Sequence, residues 1–150
     1  MNKEYRLSDY DETIRAVLDS GGEFRIYPKG TSMLPLIRMG ADSVSLAKCT
    51  GLKRGDIAFY LRDNGEYVLH RVIKAEDGFY TMCGDNQLTP EKGISDRHII
   101  GRAVKIYRGE RLIPCDSFPY RLYVFFWRSF FVRRVFFKLR SVFRKVRKQK

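Results

Sequence analysis

Three side chains in this sequence have types that could together perform acyl transfer: Ser32 in KGTSMLPLIR, His70 in VLHRVI and Asp85 in CGDNQ. A serine hydroxyl is a poor nucleophile until a base takes its proton, and the base needs a partner that fixes its tautomer. The chain holds only two histidines, so few groups could serve as that base. His70 shares a face with Val68 and Val72 in a strand-like run, while Arg71 points the other way. Apolar neighbours hold an imidazole near neutral, the state a general base needs at pH 7. Asp85 follows the next strand-like run, at a turn from which a carboxylate could point back. Each residue also has an ordinary reading: a serine in a Gly/Pro turn, a satisfied core histidine, a turn aspartate.

The elements that must position these residues can be read from periodicity. The segment SDYDETIRAVLDSGG begins with capping types Ser8 and Asp9, spaces Ile14, Val17 and Leu18 for a helix, and stops at Gly21-Gly22. From Glu23 the pattern alternates, with Phe24 and Ile26, then Val44 and Leu46, then Ile57, Phe59 and Leu61, which predicts strands. Asp63-Asn64-Gly65 and Asp77-Gly78 lie between such runs and predict hairpins. Ile99–Tyr107 turns at Arg108-Gly109-Glu110 into a further short strand, Arg111–Ile113. The expected fold is therefore mainly β, antiparallel, with a short N-terminal helix over residues 1–22, a β-domain over 23–115 and a tail over 116–150.

Five boxes in order, GTSMLPLI, LKRGDIAFY, VLHRVI, CGDNQ and IIGRAVKIY, resemble the signature boxes of the signal peptidase I superfamily, serine peptidases that also include the self-cleaving SOS repressors. The similarity runs from about Phe24 to Tyr107. It implies an all-β catalytic core with the nucleophile in an S-M-x-P box, matched by Ser32, Met33 and Pro35. The HRV sequence at His70 resembles the endoplasmic reticulum and archaeal branch, which carries histidine where other members use lysine. By the same resemblance Asp85 becomes the partner or close support of His70. That branch has a further functional aspartate beyond the GDN box; here Glu91 and Asp96 are the candidates, and Asp96 keeps the residue type. The implied reaction is hydrolysis of a peptide or protein precursor, with Ser32 attacking and backbone N–H groups near it receiving the oxyanion. It calls for no metal and no organic cofactor. A non-catalytic peptide- or partner-binding domain on the same fold, with a lipid- or nucleic-acid-binding tail, is the alternative.

The charge is unevenly spread. Residues 116–150 carry 11 of the 29 basic residues and one of the 17 acidic ones, so a body of about +2 bears a tail of about +10. In the tail Val132, Val135, Phe136, Leu139, Val142, Phe143 and Val146 follow helical spacing, with Arg133, Arg134, Lys138, Arg140, Arg144 and Lys145 expected opposite. Such a helix suits a membrane surface over residues 121–148: apolar side chains enter at headgroup level while cations meet anionic lipid. Phe125, Phe126, Trp127, Phe130 and Phe131 lie so close together that they argue against a nucleic-acid tail. Docking of the helix on the body or on a partner is the plainer reading. Cys49, Cys83 and Cys115 fit neither a disulfide framework nor a metal motif. No run has signal-peptide or membrane-spanning character, so peripheral attachment from the cytoplasmic side is the expectation.

Overall fold

The computed structural model describes residues 10–148, with side chains to residue 144. Ser8 and Asp9, expected to cap the first helix, lie outside the described residues. That helix, α1, spans Asp11–Asp19 and buries Ile14 and Leu18. It is followed by β1 (Phe24–Ile26), β2 (Asp42–Ala47), β3 (Ile57–Leu61), β4 (Tyr67–Glu76), β5 (Phe79–Cys83), β6 (Glu91–Ser95), β7 (Ile99–Arg108) and β8 (Arg111–Pro114), then by α2 (Phe118–Trp127) and α3 (Phe130–Lys148).

The strands form one antiparallel sheet in the order β1-β2-β7-β3-β4-β5-β6, and β8 pairs with β7 beyond the reach of β3. The mainly β fold expected from the sequence is what the chain adopts. The β4–β5 hairpin closes through Asp77 (φ 45°) and Gly78 (φ 76°), two successive left-handed residues whose twist matches that of the strands. Strand β6 was not expected. Only Ile94 of Glu-Lys-Gly-Ile-Ser is buried, so the segment lacks an alternating pattern.

Strand β3 sits centrally and is buried on both faces. Ile57 and Phe59 join Ile14, Leu18, Val44, Leu46 and Ile106 in one apolar cluster, and Ala58 and Tyr60 join Val72, Met82 and Ile94 in the other. Tyr120 of α2 belongs to the first cluster, so the tail is packed on the body at its base. Two tail residues depart from the sequence reading: Trp127 is buried rather than lipid-facing, and Arg133 is fully buried rather than on a solvated face. Elsewhere on these helices Phe125, Phe126, Phe131, Leu139 and Phe143 are exposed, while Phe136 is half-buried against the Trp127 ring.

Candidate active site

Ser32 lies on the turn between β1 and β2. Met33, Leu36 and Ile37 are buried, and the Ile37 N–H donates to the Met33 carbonyl, so a single helical turn pins the segment to the core. Ser32 itself is only half-buried and lines a cavity of about 500 Å³. His70, from β4, lines the same cavity, with Arg62, Glu66 and Gln87 among its polar groups and Ile26, Phe59 and Leu69 among its apolar ones. Ser32 and His70 thus line one cavity, the serine from the β1–β2 turn and the histidine from β4.

His70 stands opposite Ala58 of β3 and is 5% exposed. Burial dominates its titration: the imidazole is pushed down to about 4, with Arg62 adding to the shift and Glu91 and Asp85 opposing it. It is therefore neutral at physiological pH. Its Nδ1 lies 3.2 Å from the Tyr60 hydroxyl, which donates to Glu91 Oε2 at 2.7 Å. Arg62 holds that carboxylate with two bonds, Nε to Oε1 at 2.7 Å and Nη2 to Oε2 at 2.8 Å. These bonds keep the Glu91 carboxyl below its ordinary range despite partial burial.

Asp85 occupies a different place from the one expected of a histidine partner. Both of its oxygens are taken by the Arg71 guanidinium, Nε to Oδ1 and Nη2 to Oδ2, each at 2.7 Å, and both side chains are fully buried. Tyr123 donates to Oδ2 at 3.1 Å, the Trp127 indole to the Asp85 carbonyl at 3.0 Å, and Arg133 Nη2 lies 3.6 Å from Oδ1. Arg71 also donates to the Gly55 carbonyl, which satisfies more of the fork. The alternation of β4 explains the separation, since adjacent residues His70 and Arg71 point to opposite faces. Asp85 goes with Arg71, not with His70.

The GDN box instead acts on the serine turn. The Asn86 N–H donates to the Ser32 carbonyl at 2.7 Å, and its side-chain amide donates to the Thr31 carbonyl at 3.2 Å. Gly84 approaches so closely that an added Cβ would stand 2.6 Å from the Ser32 carbonyl oxygen and 2.8 Å from Gln87 Oε1. Arg133 ties the same loop to the C-terminal helices by donating to the Gly84 carbonyl at 2.8 Å and, through Nε, to the Trp127 carbonyl at 2.6 Å.

Asp96 is apart from this cavity. It opens the 3₁₀ turn Asp96–His98, accepts from the Tyr80 hydroxyl and lines a separate depression with Arg15, Lys48 and Cys49. Of the two acidic candidates beyond the GDN box, Glu91 is the one linked to His70. Tyr60 was missed by sequence reading, because a strand tyrosine in LKRGDIAFY gives no local sign that its hydroxyl meets a residue ten positions on. Among the described residues no cluster of His, Cys, Asp and Glu could hold a metal ion, the three cysteines are free, and no helix is long and apolar enough to cross a membrane.

No protein-family model matches the chain. Among curated proteins it is similar to the LexA repressors of two strains of Lactobacillus delbrueckii subsp. bulgaricus, 30% identical over 90 residues. That stretch is 60% of this chain and 43% of theirs, so the chain spans less than half the length of the relatives it matches.

Proposed function

We propose that this protein is a serine endopeptidase of the signal peptidase I type that hydrolyses a peptide or protein precursor through Ser32 and His70. The observation that carries the reading is the shared cavity, of mixed polar and apolar lining, onto which a half-buried serine and a buried, neutral histidine both open. The similarity to LexA repressors agrees with the resemblance of the sequence boxes. In the reaction Ser32 Oγ attacks the scissile carbonyl as its proton passes to His70 Nε2, giving a tetrahedral oxyanion received by backbone N–H near Ser32. The imidazolium then protonates the leaving amine, and water, deprotonated by His70, releases the acyl group. Asp85 supports this machinery indirectly, by fixing the loop that holds the serine turn.

Peptide-library cleavage followed by mass spectrometry tests the assignment. Wild-type protein is expected to generate defined products, and Ser32→Ala and His70→Ala to generate none. Equal products from all three proteins would sink it.

We also place the reaction at an anionic membrane surface. Exposed Phe125, Phe126, Phe131, Leu139 and Phe143 share the C-terminal helices with Arg134, Lys138, Arg140 and Arg144, and each cation near such a surface contributes about 1 kcal/mol. Flotation with phosphatidylglycerol vesicles should be strong for the wild type and weak for Phe131→Ser/Leu139→Ser/Phe143→Ser, a variant that leaves the buried Tyr120, Trp127 and Arg133 untouched. Equal flotation would refute the membrane placement.

A further inference from the structure

We propose that Tyr60 and Glu91 are positioning residues for His70, forming a relay in which Nδ1–H donates to the Tyr60 oxygen and the Tyr60 hydroxyl donates to the Glu91 carboxylate. The inference rests on the Ser32–His70 reading and supplies the tautomer control that Asp85 does not.

The direction of the chain follows from donor bookkeeping. A phenol has one proton to give, and two acceptors compete for the one on Tyr60. Glu91 Oε2 lies at 2.7 Å and His70 Nδ1 at 3.2 Å. Arg62 keeps Glu91 ionised, and an anionic oxygen at the shorter distance is the stronger acceptor. The Tyr60 proton therefore goes to Glu91. Its oxygen keeps lone pairs only, so Nδ1 must be the donor. The ring proton is then on Nδ1, and Nε2 carries the free pair that removing a proton from Ser32 requires.

When His70 becomes cationic, the same two bonds shorten toward a carboxylate, so the positive charge is met through the phenol rather than directly. The charged and titratable groups acting on His70 are Tyr60 of β3, Arg62 just beyond it, Glu91 of β6 and Asp85 of the β5–β6 loop. Asp85 is neutralised by Arg71, which leaves Glu91 as the carboxylate bonded into the chain.

The second histidine is an internal reference. His98 Nδ1 accepts from the Ser95 N–H at 2.9 Å, which places its proton on Nε2, 3.2 Å from Asp63 Oδ1. The two rings therefore have opposite tautomers.

Nitrogen-15 NMR of the imidazoles in the full chain at pH 7, assigned with His70→Ala, tests this without any substrate. His70 should show a protonated Nδ1 and a bare Nε2, with the reverse at His98. Tyr60→Phe should convert His70 to a tautomer mixture and leave His98 unchanged. In peptide cleavage Tyr60→Phe and Glu91→Gln should lower kcat roughly tenfold to a hundredfold, the change that loss of one hydrogen bond to a charged group brings, with KM unaltered. A wild-type His70 protonated on Nε2, or an Nδ1–H tautomer that survives Tyr60→Phe, would overturn the relay. The stated tautomers in a chain that cleaves nothing would support the relay and count against the peptidase reading.

Discussion

Asp85 and Glu91 are two carboxylates six residues apart, each paired with an arginine, yet they belong to different kinds of site. The Asp85–Arg71 pair is fully enclosed, and Tyr120, Tyr123, Trp127 and Arg133 close around it. The Glu91–Arg62 pair is only part-buried at 27% and 30% exposure, and it opens on the region around His70. A buried ion pair, once made, is expensive to break from one side, because the remaining charge is left dry. A part-exposed pair can be rehydrated, so its loss weighs little on folding and more on what it orients. The Asp85 pair therefore holds the shape of the molecule, and the Glu91 pair holds the state of one imidazole.

The contrast is most sharply tested by removing the enclosed carboxylate. Asp85→Ala strands Arg71 and should cost about 3–5 kcal/mol of unfolding free energy, read as a loss in chemical denaturation. A cost under about 1 kcal/mol would mean that the network is not as closed as its geometry. Acid should have the next largest effect. Folded His70 resists protonation down to about 4, whereas the unfolded imidazole takes its proton near 6.5. Between those values the unfolded state binds more protons, so stability falls as pH drops from about 6.5 toward 4, by roughly 3 kcal/mol from this residue. His70→Gln should flatten that part of the profile; an unchanged slope would contradict the burial of the imidazole.

Gly84→Ala tests the join between the enclosed network and the serine turn. The new Cβ collides with the Ser32 carbonyl, so about 1–3 kcal/mol of stability should be lost along with most of the cleavage activity. Full activity would show that the GDN loop does not set the position of Ser32. Glu91→Gln should have the smallest effect on folding, under about 1 kcal/mol, while kcat falls. The opposite pattern, large on stability and nil on rate, would reverse the roles assigned to the two carboxylates.

Local rules reached much of this molecule. Asp77-Gly78 announces a left-handed hairpin turn, Ile14 and Leu18 announce the buried face of α1, and the alternation in β2 and β3 announces the sheet. Ser32 and His70 were visible because their neighbours, Met33 and Pro35 in one box and Arg71 and Val72 in the other, carry a recognisable pattern. The acid was visible only as a choice between Glu91 and Asp96, with nothing local to decide it. Which carboxylate serves a histidine depends on where side chains point across strands, and Asp85 is claimed by Arg71 on the opposite face and by Arg133 from 48 positions away. Glu91 reaches His70 through Tyr60 across three strands, and no spacing rule encodes that path. The tail misled for a related reason. Helical period separates apolar from basic residues, but it does not reveal that a guanidinium is drawn inward by the carbonyls of a loop ending another strand.

The central claim is that the Ser32 hydroxyl is activated by His70. Labelling of the intact protein with a serine-directed acylating probe, followed by peptide mass mapping, measures this without knowledge of the substrate. A stoichiometric adduct on Ser32 in the wild type, lost in Ser32→Ala and in His70→Ala, is the predicted result. An unlabelled Ser32, or equal labelling with and without His70, would contradict it.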